Sequence, residues 1–210
     1  RQADPPPSAL PVDVDPALSD STVSRVTAAT YRLRLEDGTE VSYLDGGVRI
    51  DHQSAWITSD QGKDFRSARR TVLIGNVRGR DGTMELFGDT GEYLGFENTL
   101  SLKDNVRILD GTMEITCERA RYERQRAIVV LVGGVRMSDE TRVMYADSVH
   151  YDRLSGMADA TGRVVLIDEA DDYSISGRHA RFFRNSKEAV MDVDPVLVFD
   201  DRSEKEGRVV

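Results

Sequence analysis

Residues 100–122 read LSLKDNVRILDGTMEITCERARY. Leu100, Leu102, Val106 and Ile108 fall on one parity; Ser101, Lys103, Asn105 and Arg107 fall on the other. A period of two marks a strand with one buried face. Asp110-Gly111 follows, a dipeptide that accepts positive φ in a tight hairpin turn. Beyond it, Met113, Ile115 and Cys117 alternate with Glu114, Thr116 and Glu118. The stretch predicts a hairpin of two strands, each about ten residues or ~33 Å long. A helix is excluded, because the apolar spacing is not 3.6 and glycine recurs inside the segments.

The hairpin repeats along the chain. Gly46-Gly47-Val48-Arg49, Gly75-Asn76-Val77-Arg78, Asp104-Asn105-Val106-Arg107 and Gly133-Gly134-Val135-Arg136 are spaced 29 residues apart, and Val164 continues the step. Asp81-Gly82-Thr83-Met84-Glu85 recurs at the same spacing as Asp110-Gly111-Thr112-Met113-Glu114, and so do Tyr93, Tyr122 and Tyr151. A fifth unit runs about two residues longer and places Phe182 at the tyrosine position. Two units depart from the pattern. The first has Trp56 at the hairpin methionine position and no Asp-Gly, and the fourth has Asp139-Glu140 and Arg142. The leucine ladder of a leucine-rich repeat is missing, and a propeller blade needs about 40–45 residues. What remains is an all-β roll or solenoid of stacked hairpins with about 12 strands.

The ends read differently. Pro5, Pro6, Pro7, Pro11 and Pro16 make residues 1–25 an expected flexible tail. Residues 26–200 form the expected β-domain, and residues 201–210 a charged tail or linker. With 28 Lys+Arg against 37 Asp+Glu the net charge is −9. That argues against a nucleic-acid partner, which needs a basic face. The longest apolar run, Ala127 to Val132, is far short of the ~20 residues of a membrane helix. No basic stretch leading into an apolar one opens at Arg1, so no signal peptide is read there.

The motif G-N-V-R-x-x-D-G-x-M-E-L, followed by A-x-Y, resembles the OstA-like family. Gly75, Asn76, Val77, Arg78, Asp81, Gly82, Met84, Glu85 and Leu86 carry it once. Asn105, Val106, Arg107, Asp110, Gly111, Met113, Glu114, Ile115, Ala120 and Tyr122 carry it again. The resemblance implies a β-jelly-roll, or β-taco, open at both ends. It implies a periplasmic lipopolysaccharide-transport module, free, tethered to the inner membrane or part of an outer-membrane complex, with an apolar slot for acyl chains. Its implied partners are lipopolysaccharide or a related glycolipid, and other β-jelly-rolls, copies of itself included, joined by edge-strand pairing.

On that reading the lipid-contacting residues are Val48, Ile50, Val77, Leu86, Val106, Ile108, Ile115, Val135, Met137, Met144, Val164, Leu166 and Ile175. Gly88, Cys117, Ala146 and Gly177 stand opposite them, as room for acyl chains or as packing positions. Arg49, Arg78, Arg107 and Arg136 point outward by parity, as a surface ladder paired with Glu85 and Glu114. His52, His150 and His179 are scattered, with no metal-ligand spacing. Cys117 reads as a buried structural thiol. Asp168, Glu169, Asp171 and Asp172 read as a charged hairpin loop. No enzyme, metal or cofactor motif is found. The competing reading is a structural β-solenoid or filament with a dry core.

Overall fold

The period-two segments form strands along nearly all of the described chain, residues 24–168, 170 and 173–199 of this computed structural model. They are β1 (Arg25–Thr27), β2 (Thr30–Glu36), β3 (Thr39–His52), β4 (Ala55–Phe65), β5 (Arg70–Asp81), β6 (Met84–Leu94) and β7 (Thr99–Asp110). Then come β8 (Met113–Glu123), β9 (Ile128–Ser138), β10 (Arg142–Asp152), β11 (Met157–Asp168), β12 (Tyr173–Phe183), β13 (Glu188–Val193) and β14 (Val196–Phe199). From β3 to β13 every strand pairs antiparallel with the next, as consecutive hairpins do. Strands β5, β7, β9 and β11 start 29 residues apart. Among the described residues the count is 14 strands rather than about 12, because each end adds short extra strands. Apart from Ser24 and Arg25, the predicted tails lie outside the described residues.

The strands are not straight, which parity alone does not reveal. The register slips once in every central pair, between Ile74 and Val77 on β5 and between Lys103 and Val106 on β7. These slips fall on the repeated G-N-V-R segment. Asp104 and Asn105 there have φ of 63° and 51°. Such paired left-handed residues make a bulge, which bends the strand and carries it from one face of the roll to the other. At three of the corners an acidic side chain on the preceding strand holds the bend. Asn76 Nδ2 donates to Asp60 Oδ2 at 2.7 Å, Asn105 Nδ2 to Asp89 Oδ2 at 2.6 Å, and Arg163 Nη2 to Asp147 Oδ1 at 2.9 Å. Gly75 has φ +78°, and a Cβ there would lie 2.6 Å from Asp60 Oδ2.

The corners also break the edge strands in two. β3 pairs with β1 on one side of its corner and β2 on the other. β12 pairs in the same way with β13 and then β14. The sheet is thus curled lengthwise into a β-jelly-roll, with two lips formed by hairpin turns and strand connections. The end pair of the first hairpin, His52 opposite Ala55, matches Asp81 opposite Met84. Ala55, not Trp56, therefore holds the methionine position.

Candidate functional site: the apolar interior and its seam

Of the expected lipid-contacting residues, Val48, Ile50, Val77, Leu86, Val106, Ile108, Ile115, Val135, Met137, Met144, Val164 and Leu166 are all buried in one cluster. Ile175 is partly buried against it. Leu100, Leu102, Ala120, Tyr122, Leu131, Val149 and Tyr151 join them from beyond the corners. On β8 the buried parity switches from Met113, Ile115 and Cys117 to Ala120 and Tyr122. The bulge causes that switch, so a single alternation read through the strand misses the second half.

The middle of the interior is packed. Leu73, Ile108, Ile115, Leu131 and Tyr151 are fully enclosed. Two of the small positions are filled by neighbours: a Cβ on Gly88 would meet Leu102 at 3.3 Å, and one on Gly177 would meet the Met191 sulfur at 2.6 Å. Gly88 and Gly177 are packing positions, and the enclosed side chains keep the two faces in contact along the middle. Burial of each such aliphatic side chain contributes about 1.5–3 kcal/mol, which keeps the faces together. At the two ends the inner face is uncovered. Tyr31 stands opposite Leu44 and Leu33 opposite Ser42, and these partners are buried. Leu33 and Leu35 are nevertheless 63% and 76% exposed. Leu197 and Phe199 stand opposite Ile175 and Tyr173 at the far end, and both are exposed.

Polar clasps close the lips. Arg124 Nε donates to Asp81 Oδ2 at 2.9 Å, and the Tyr122 hydroxyl donates to the same oxygen at 2.8 Å. One unit on, Arg153 grips Asp110 through Nε at 2.9 Å and Nη2 at 3.1 Å, with the Tyr151 hydroxyl 3.4 Å from Asp110 Oδ2. Arg153 also reaches the Tyr122 hydroxyl at 3.3 Å, which links the two clasps. Burial works to raise the Asp81 carboxyl, but the bonds from Arg124 and Tyr122 hold it below its ordinary value. Burial, together with the facing carboxylates, pushes the Tyr122 and Tyr151 hydroxyls up to about 12. Both tyrosines therefore remain protonated donors. Arg142, expected at a methionine position, serves the same lips. Its Nε donates to Asp168 Oδ2 at 2.7 Å, and its Nη1 donates to the Lys187 carbonyl. Asp168 is consequently buried rather than part of an exposed charged loop; Glu169, Asp171 and Asp172 lie outside the described residues.

The sequence contains the clasps but does not announce them. The Asp-Gly aspartates read as turn formers and the tyrosines as markers. The partners are 41 and 43 residues apart, so only the curl brings them together. The outward arginines are placed as expected, with mixed partners. Arg107 Nε bonds Glu114 at 2.5 Å, Arg49 pairs with Asp51, and Glu85 faces Arg80 at 3.9 Å instead of Arg78. Arg78 and Arg107 flank the Phe87 ring, and Arg136 donates to Ser138. His150 is exposed, and His179 bridges Asp192 and Asp159. His52 is buried, with Nδ1 2.9 Å from Ser24 Oγ. Burial, then the charge of Arg124, lowers its pKa and keeps it neutral. Burial pushes the Cys117 thiol up to about 11, where it is inert. Among the described residues no cluster of His, Cys, Asp or Glu is arranged to hold a metal, and no helix is long and apolar enough to cross a membrane.

These features define a β-jelly-roll of stacked hairpins with an apolar inner face and a latched seam. The chain belongs to the OstA-like protein family, whose model matches residues 22–130 and 66–203. No curated protein matches it. Among solved structures it is similar to that of LptH from Pseudomonas aeruginosa, described as the LptA homologous periplasmic component of the conserved lipopolysaccharide transport device. The identity is 17% and the TM-score 0.49, over 56% of this chain and 95% of that one.

Proposed function

We propose that the chain is a periplasmic lipopolysaccharide-transport module. In this reading acyl chains of lipopolysaccharide, or of a related glycolipid, run along the inner face from one roll to the next. The observation that carries the reading is the uncovered apolar inner face at both ends, Tyr31, Leu33 and Leu35 on β2 and Leu197 and Phe199 on β14. A soluble domain gains nothing by exposing such rows unless something covers them. A second roll adding its edge strand would cover them and join the two interiors. Family membership supports the same reading. Each CH₂ held against the inner face is worth ~0.8 kcal/mol, so a continuous lining lets a chain advance without meeting water. The closed middle requires the lips to part during passage, and the polar clasps are where they part.

The packed middle favours one other reading, a stacked scaffold with a dry core. The two separate in a transfer assay with fluorescent lipopolysaccharide in donor and acceptor vesicles. A carrier raises the transfer rate, and Leu35→Asp with Phe199→Asp lowers it together with end-to-end assembly. Assembly that proceeds unchanged, with no transfer above background, supports the scaffold instead.

A further inference from the structure

The clasps follow the 29-residue step, and the first unit breaks it. One step before Asp81 stands His52, and one step before Arg124 stands Gly95. Glycine has no side chain with which to close the lips, so the seam has no ion pair there. Behind the gap lies a cavity of about 40 Å³ lined by Ile50, Trp56, Ile57, Leu86 and Leu100. In front of it lies a polar mouth of about 600 Å³, lined by Arg69, Phe96 and Gln125 among others. His52, Asn98, Asp81 and Arg124 border both spaces.

Two side chains at this gap are built for a ligand. His52 is 7% exposed, and its Nε2 is a buried nitrogen with no hydrogen-bond partner among the described residues. When the Ser24 hydroxyl donates to Nδ1, Nε2 carries the proton and faces no acceptor. Burying such a donor is unfavourable until an acceptor arrives. Arg69 sits in a left-handed conformation at φ 44°, with its guanidinium 4.5 Å from the Phe96 ring. Among the described residues it pairs with no carboxylate. The other cation at the mouth, Arg124, is committed to Asp81, Gln53 and Ser54. The Arg124–Asp81 pair cancels, so Arg69 leaves the mouth one net positive charge.

We propose that this gap is a side port through which one alkyl tail of a phosphate-bearing amphiphile enters the roll. The phosphate rests on Arg69, and an ester or phosphate oxygen at the neck accepts from His52 Nε2. The cavity holds only about three waters' worth of space, so it admits the tip of a tail and further entry widens it. Chain entry beside a fixed charge orders the steps: the headgroup docks first, and the tail then threads. The port rests on the carrier reading and goes beyond it by placing the entry site and its headgroup contact.

Trp56, the chain's only tryptophan, borders the cavity with its ring against the Arg49 guanidinium, 5.2 Å away on the outer face, so a quencher carried into the cavity reaches it across one strand. The probes are dodecyl phosphate and dodecyl maltoside, each brominated near the tail end and kept below micellar concentration. Saturable quenching of Trp56 by the phosphate probe is expected, with none from inorganic phosphate. Arg69→Gln should weaken the phosphate probe about tenfold, as loss of a charge-assisted contact does, and leave the maltoside probe unchanged. Ala55→Phe fills the cavity from its lining and should weaken both, with thermal melting showing that the fold persists. Quenching indifferent to both substitutions overturns the port. Quenching seen only after residues 1–22 are removed also overturns it, because the chain's own N-terminal segment then occupies the cavity. A photoreactive residue at Ile115 separates the two proposals. Lipid crosslinked there without Trp56 quenching overturns the port and leaves the carrier standing, whereas absence of both signals removes both.

Discussion

Replacing Arg153 by methionine tests the seam most sharply. The guanidinium holds both oxygens of Asp110 and the Tyr122 hydroxyl. The pair is nearly enclosed, with side-chain exposures of 16% for Arg153 and 8% for Asp110. Methionine keeps the apolar stem and leaves the Asp110 charge buried, with only the distant Tyr151 hydroxyl to answer it. Breaking a buried pair from one side costs about 3–5 kcal/mol. Partial access of water to Arg153 reduces the expected loss to roughly 2–4 kcal/mol. Equilibrium urea unfolding, followed by circular dichroism, measures it. Arg163→Met is the control, since its pair with Asp147 is 90% and 47% exposed; a smaller loss is expected, because water screens the pair and Asp147 keeps its bond from the Arg163 backbone N–H. The double variant Arg153→Met with Asp110→Leu removes both charges and should recover at least half of the single-variant loss. Should Arg153→Met lose no more than Arg163→Met, or should the double variant lose the sum of its parts, the seam is not held by this clasp.

Tyr122 and Tyr151 hold their protons more tightly folded, at about 12, than unfolded, at about 10. Their contribution is therefore complete below pH about 10 and is lost as pH climbs toward 12; a stability profile over that range should fall, and should flatten in Tyr122→Phe with Tyr151→Phe. Cys117 should react with a maleimide at pH 8 no faster than the protein unfolds, because burial keeps its thiol protonated up to about 11; fast labelling of native protein would refute its placement. Gly75→Ala forces a Cβ into a left-handed position against Asp60 and should lower stability by about 1–3 kcal/mol in urea unfolding. An unchanged midpoint would show that the corner is not held as described.

Much of this architecture is legible in the residues because alternation, Asp-Gly turns and a fixed step all point one way. Val106, Ile108 and Ile115 are inward for the reason their parity gives. The corner is not legible by parity. It is built on residues at positive φ, two in a row in most units, and Asp104-Asn105 or Gly75-Asn76 reads equally well as a turn. A signal for it is present in hindsight: Asp60, Asp89, Glu118 and Asp147 also keep the 29-residue step, and three of these carboxylates hold the bends. The clasps are harder still. Asp110 serves the turn locally and Arg153 at long range, and nothing in local sequence separates the two duties. The closed middle escapes too, because whether Gly88 faces a void or Leu102 depends on how tightly the two faces approach.

The central claim, that hydrocarbon occupies the inner face, is tested by site-specific photo-crosslinking in cells that make lipopolysaccharide. Photoreactive residues at Val106 and Ile115, on the inner face, are compared with Arg107 and Arg78, on the outer. The account predicts crosslinks to lipid A at the first two and none at the others. Crosslinks confined to Arg107 or Arg78, or an inner face that captures no lipid while the outer one does, would contradict it.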